Sequence, residues 1–141
     1  NFAQTPLHHP MPLKFETKEK FHVITVEEPE LTASLSAELI RAAESIRAQH
    51  EGGSSNRNLI LIMASVQRIE LPDAEALASL QASFYESGAS FVICSLQPGV
   101  QKTLELAGLL ELLNITPTES EAWDIVQMEE IERELLGGEE D

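Results

Sequence analysis

Three carboxylates fall within six residues of the segment Ile69-Glu70-Leu71-Pro72-Asp73-Ala74-Glu75. Acids as close as Glu70, Asp73 and Glu75 could share a proton in acid–base chemistry or hold a cation. Either chemistry needs a histidine, a nucleophile or a phosphate cradle within reach. None stands nearby in the sequence, and no basic residue is counted near the turn. An enzyme built on this cluster is therefore the weaker reading, and no catalytic residue, metal ligand or cofactor is expected. The simple structural reading of Asp73 is a helix cap, because its side-chain oxygen can accept from the free N–H groups of a first turn.

The other reactive residues carry less. Cys94 stands alone, so no internal disulfide can form, and it lies in an apolar run without a base beside it. A buried, inert thiol is expected there. His22 sits within a strand pattern and has no second histidine or cysteine at ligand spacing, so it reads as structural or surface. His8 and His9 lie among Pro6, Pro10 and Pro12 and read as part of a tail rather than a metal site. The Gly52-Gly53-Ser54-Ser55 stretch is a loop and lacks the lysine and spacing of a phosphate loop.

Composition narrows the partners. The 141 residues hold 24 acids and 9 Lys or Arg, a net charge of −15. Binding to nucleic acid or to an anionic membrane requires the opposite sign. No apolar run is long enough to span a bilayer, and residues 1–20 lack the pattern of a signal peptide. A cytoplasmic protein, monomeric or weakly dimeric, is expected. Most of the acidity reads as a solvated surface, with a basic protein partner as the functional alternative.

The elements that must position the acidic turn follow from periodicity. Residues 59–64, Leu-Ile-Leu-Ile-Met-Ala, are apolar at every position, as a strand covered on both faces requires. The turn at 69–75 would lie at its carboxyl end, where open α/β sheets place their working surface. Before it, alternation predicts strands over 13–17 and 21–26, joined by the polar Lys18-Glu19-Lys20. A helix capped by Thr32 or Ser34 extends to about residue 49, with Leu35, Leu39, Ala42, Ala43 and Ile46 on one face. After the turn, a helix from Asp73 places Ala76, Leu77, Leu80 and Phe84 inward and stops at Gly88. A strand over 91–96 leads to a helix opened by Pro98, with Val100 and Leu104 inward and Gly108 closing it. A short strand over 109–115 precedes a last helix, which starts at 117–121 and buries Ala122, Ile125, Met128, Ile131 and Leu135. Trp123 and Val126 flank that stripe, and Trp123 reads as packing. Residues 1–12 read as a disordered tail or non-native remnant, with Met11 a candidate native start. Residues 13–136 form one domain, and 137–141 an acidic disordered tail. The alternation of strand and helix implies parallel crossovers with an antiparallel first hairpin.

This order of elements resembles the STAS family, found in bacterial anti-sigma factor antagonists and in the cytoplasmic tails of sulfate transporters. The resemblance runs over 13–136. Its most specific piece is Leu96-Gln97-Pro98-Gly99-Val100-Gln101-Lys102-Thr103-Leu104-Glu105-Leu106-Ala107-Gly108-Leu109, after Gly88-Ala89-Ser90-Phe91-Val92-Ile93. It implies an α/β fold, a mixed and mostly parallel sheet of about five strands with about four helices packed mainly on one side. It also implies regulation by partner switching, in which a serine kinase acting as anti-sigma factor phosphorylates a serine at the start of the helix after the central strand. Phosphate adds about −1.5 to −2 charges and can break a docked interface. In this chain the ungapped register puts Glu70 at the family's aspartate, Leu71 at the acceptor serine, Pro72 at the next hydroxyl and Asp73 at the glycine. A shifted register puts Pro72 or Asp73 at the acceptor, and none supplies a hydroxyl. Ser65 and Ser79 are the nearest.

The favoured reading is a non-catalytic interaction module, anti-sigma factor antagonist-like, without the usual serine phosphoswitch. Its docking residues would be Ile69, Glu70, Leu71, Pro72, Asp73, Ala74 and Glu75 with Gln97, Pro98 and Gly99. The partner would be a protein such as an anti-sigma factor or serine kinase-like protein carrying a basic patch. A small-molecule or nucleotide-sensing STAS domain is the alternative, and a carboxylate enzyme comes last.

Overall fold

A computed structural model of the chain describes residues 11–49 and 56–140, the side chains of 137–140 excepted. The expected tail with His8 and His9, and the Gly52–Ser55 loop, lie outside the described residues.

The sheet has the order β1-β2-β4-β6-β7, built from β1 (Leu13–Thr17), β2 (His22–Val26), β4 (Leu59–Ile62), β6 (Phe91–Cys94) and β7 (Ile115–Thr116). β1 pairs antiparallel with β2, and the other three pairings are parallel. β3 (Glu30–Leu31) and β5 (Arg68–Ile69) form a separate two-stranded parallel sheet, too short for alternation to predict. α1 (Ala33–Arg47), α2 (Leu71–Glu86), α3 (Pro98–Leu106) and α4 (Glu119–Glu140) complete the fold. α4 runs on through residues expected as an acidic tail.

Side chains alternate across a strand, so the apolar run of β4 feeds two cores. Leu59 and Leu61 join the larger one with Leu35, Leu39 and Ile46 of α1, Leu77, Leu80 and Phe84 of α2, and Val100 and Leu104 of α3. Ile60 joins the smaller one with Phe21, Val23, Val92, Cys94, Ala122 and Val126 under α4. Three helices thus cover one face of the sheet and α4 alone covers the other. Thr32 caps α1, its hydroxyl accepting from Leu35 N–H at 3.2 Å. Gly88 and Gly108 close α2 and α3 at φ +74° and +72°, each continued by a backbone bond back across the last turn, Ala89 N to Phe84 O and Leu109 N to Leu104 O.

Two expected elements differ. The stretch 109–115 is a 3₁₀ turn at Leu110–Leu112, with a strand only at Ile115–Thr116. The buried face of α4 is Ala122 and Val126, continued by the half-buried Glu129, Glu130 and Arg133, while Met128, Ile131 and Leu135 are exposed. The reason is a polar network at the amino end of the strands. Buried Asn58 donates to Lys20 O and to Glu130 Oε2, both at 2.9 Å, and accepts from Ser90 N–H at 2.8 Å and from Arg133 Nη2 at 3.2 Å. Ser90 Oγ donates to Glu129 Oε1 at 2.5 Å. Asn114 Nδ2 reaches the other oxygen of Glu129 at 3.3 Å. Charged groups can turn inward there because each finds partners. Trp123 packs on Phe21 with ring centroids 5.3 Å apart, and its indole N–H donates to Glu119 at 3.3 Å. His22 is half-buried, its Nδ1 3.2 Å from Thr17 Oγ1.

Candidate functional site

At the carboxyl end of the sheet, three connections meet. The chain leaving β4 passes through Met63 to Gln67 into β5 and then directly into α2. The chain leaving β6 passes through Ser95 to Gln97 into α3. The chain leaving β2 runs through Pro29 into β3. They are tied by backbone: Gln67 N–H donates to Pro29 O at 2.7 Å, and Met63 N–H to Cys94 O at 3.1 Å. Gln97 Nε2 donates to Ala64 O at 2.6 Å. Gly99 sits so close to the Gln67 carbonyl that an added Cβ would stand 2.7 Å from its oxygen.

Ser95 holds φ +63°, the only non-glycine residue with positive φ among the described residues. A left-handed conformation at such a residue costs on the order of 1–3 kcal/mol. Here it turns the chain out of β6 toward Gln97 and Pro98. The buried Cys94 beside it has its thiol pKa pushed up by burial, only partly offset by the Ser95 hydrogen bond. That is the buried thiol expected from its setting.

The sequence-selected residues divide into two groups. Glu70, Leu71, Pro72, Glu75, Pro98 and Gly99 are exposed and Gln97 is half-buried. Ile69, Asp73 and Ala74 are buried and offer little or no surface. Asp73 is also not the cap. α2 begins at Leu71, with Glu70 in the cap position and no side-chain capping bond. Pro72 explains the shift: its fixed φ suits a first turn and it has no N–H to satisfy. Asp73 falls inside the first turn, where the positive end of the helix dipole favours a carboxylate. The three acids are thus split, two pointing to solvent and one inward. Among the described residues no group of three or more His, Cys, Asp or Glu is arranged to hold a metal.

A basic residue does stand at the turn, contrary to the sequence reading. Arg68 Nη2 pairs with Glu30 Oε2 at 2.6 Å. Its pKa is raised by the hydrogen bond and charge of Glu30 and, more weakly, by the charge of Glu70. The pairing depends on β3 lying beside β5, two strands too short to announce themselves by alternation. Arg68 therefore neutralises part of the rim rather than leaving it uniformly acidic. The surface left in the middle is Leu71, 49% exposed, beside Pro72 and flanked by Glu70 and Glu75. It has contact area and charge but no nucleophile.

No curated protein sequence matches the chain. A family model described as the STAS domain matches residues 13–122. A Thermotoga maritima protein assigned as an anti-sigma factor antagonist is similar at 17% identity and TM-score 0.66, over 82% of this chain and 94% of that one. An anti-sigma factor antagonist from Mycobacterium paratuberculosis is similar at 19% identity and TM-score 0.64, over 82% and 92%. The anti-sigma factor antagonist SpoIIAA in its unphosphorylated form is similar at 15% identity and TM-score 0.63, over 82% and 96%. At such identities the likeness is one of fold. No described helix is long and apolar enough to cross a membrane.

Proposed function

Because the chain belongs to the STAS domain family, we propose that it is a non-catalytic regulatory docking protein, anti-sigma factor antagonist-like, whose docking turn has no phosphorylatable residue. The observation that carries this reading is the exposed start of α2. It exposes Glu70, Leu71, Pro72 and Glu75 and supplies no hydroxyl between Ile69 and Glu75, and it follows the β4–β5 connection on which Gln97 and Gly99 pack. Leu71 and Pro72 give apolar contact, and Glu70 and Glu75 give a rim that attracts a basic patch. The partner in this reading is an anti-sigma factor, the class that the names of the fold relatives point to, of the serine kinase-like kind that the resemblance to the family implies. Without an acceptor at the turn, the complex is controlled by the supply of partner rather than by phosphate.

The test is co-purification of the tagged chain from its native cell, read by mass spectrometry, beside Leu71→Asp and a Glu70→Lys, Glu75→Lys double variant. Leu71 is half-exposed, and burying the remainder in an interface is worth roughly 1 kcal/mol, about fivefold in affinity. Placing a carboxylate there reverses that gain and adds a desolvation cost. The charge reversal should slow association most. Equal recovery of the same partner by all three proteins would sink the docking turn. Phosphate on Ser65 or Ser79 that releases the partner would restore a switch at a displaced position.

A further inference from the structure

Beyond Val126, α4 carries its apolar residues on the side away from the sheet. Val126 and Arg133 face the sheet. At about 100° per residue, Met128, Ile131 and Leu135 lie roughly half a turn round from them. These three are 52%, 56% and 63% exposed and stand at i, i+3 and i+7, the spacing of a continuous stripe. Exposed Glu132 and Glu134 lie on its two flanks, and exposed Asp124 lies one turn before Met128 in the same line. The one base of the helix, Arg133, is held toward the sheet by Ser90, Asn58 and Glu130. The stripe therefore combines an apolar ridge with an acidic border and no exposed cation of its own.

We propose that this face of α4 is a second docking surface, and that its occupant is an amphipathic helix of a partner protein with an apolar stripe bordered by lysine or arginine. Charge selects that occupant. A second copy of this chain would set acid against acid along the whole stripe. The chain's own segments outside the described residues, 1–10, 50–55 and 141, contain no lysine or arginine. A cationic amphipathic helix matches both the ridge and its border. The surface is separate from the turn at Leu71, since α4 covers the opposite face of the sheet from α1, α2 and α3. It stands or falls independently of the docking turn.

The probe is a fluorescent synthetic helix of leucine and lysine with leucines at i, i+3 and i+7, titrated by anisotropy against the full chain. A leucine and glutamate counterpart is the control. The wild-type chain should bind the cationic helix and leave the anionic one free. Combined Met128→Ser, Ile131→Ser and Leu135→Ser should weaken binding about tenfold or more, with circular dichroism unchanged. If that variant fails to fold, Glu132→Lys with Glu134→Lys carries the test and should weaken binding while flattening its salt dependence. Equal binding by wild type and variant, binding of the anionic helix, or a wild-type dimer abolished by Ile131→Asp would each overturn the proposal.

Discussion

Replacing Gly99 with alanine sets two effects of opposite sign against each other. Gly99 is the second residue of α3, and its φ is not in the left-handed region. By backbone entropy alone, Gly99→Ala should stabilise the protein by about 0.4–1 kcal/mol. The structure says otherwise. The new methyl would lie 2.7 Å from the Gln67 carbonyl oxygen and 3.9 Å from its carbon. That oxygen is backbone and cannot rotate away. Its residue is fixed in turn, because Gln67 N–H donates to Pro29 O at 2.7 Å. Relieving the overlap means pushing the start of α3 away from the β4–β5 connection, the kind of overpacking that costs about 1–3 kcal/mol. The expected net effect is a loss of roughly 1–2 kcal/mol, or a melting temperature lower by about 3–7 °C for a chain of this size. Thermal and urea unfolding followed by circular dichroism measure it. An unchanged or raised melting temperature would refute the claim that α3 is wedged against Gln67, and with it the view that the two halves of the docking surface are held at a fixed distance.

Asn58→Ala should destabilise by about 2–4 kcal/mol in the same urea assay, because it takes the side-chain partner from the Ser90 N–H and the Lys20 carbonyl and one bond each from Glu130 and Arg133. Thr32→Ala should cost about 1 kcal/mol through loss of the α1 cap, also read by urea unfolding. Burial raises the Cys94 pKa, so its neutral thiol contributes stability in full below the unfolded thiol value of about 8.5, and this contribution falls as pH rises above it. Cys94→Ala should therefore flatten the alkaline slope of stability, and a thiol reagent should modify native wild-type protein far more slowly than unfolded protein.

The parts of the fold that were legible in the sequence are those where burial alone dictates residue type. The runs at β4 and β6 are apolar throughout because each strand is covered on both faces. Gly88 and Gly108 mark helix ends because the chain turns left-handed there. The cap of α2 lies three residues before the expected one, because Asp73 outranks Glu70 as a cap in isolation, whereas Pro72 sets the start. That shift matters for the site, since it turns Asp73 from a rim residue into a buried one. The buried face of α4 departs from the expected one for a geometric reason. Ala122, Ile125, Met128 and Ile131 follow each other at three-residue steps, and each such step advances about 300°, so the series walks around the helix instead of staying on one side. The true inward line, Ala122, Val126, Glu129 and Arg133, becomes apolar only in its first half. Its second half is accepted by Asn58, Ser90 and Asn114, which lie far away in sequence. Arg68 stands one residue before Ile69 and is legible in the sequence; its pairing with Glu30 is not, because a two-residue strand pairing brings the two together.

The sheet ends on β7, which is only Ile115–Thr116, while its other edge, β1, sets Lys14 and Glu16 among its five residues. A foreign strand adding to β7 could form only a few backbone bonds, and one adding to β1 would meet a cation and an anion in alternate positions. Polymerisation through sheet edges is blunted at both ends, so concentrated solutions of the folded protein should resist fibril formation despite the wholly apolar strands in the middle.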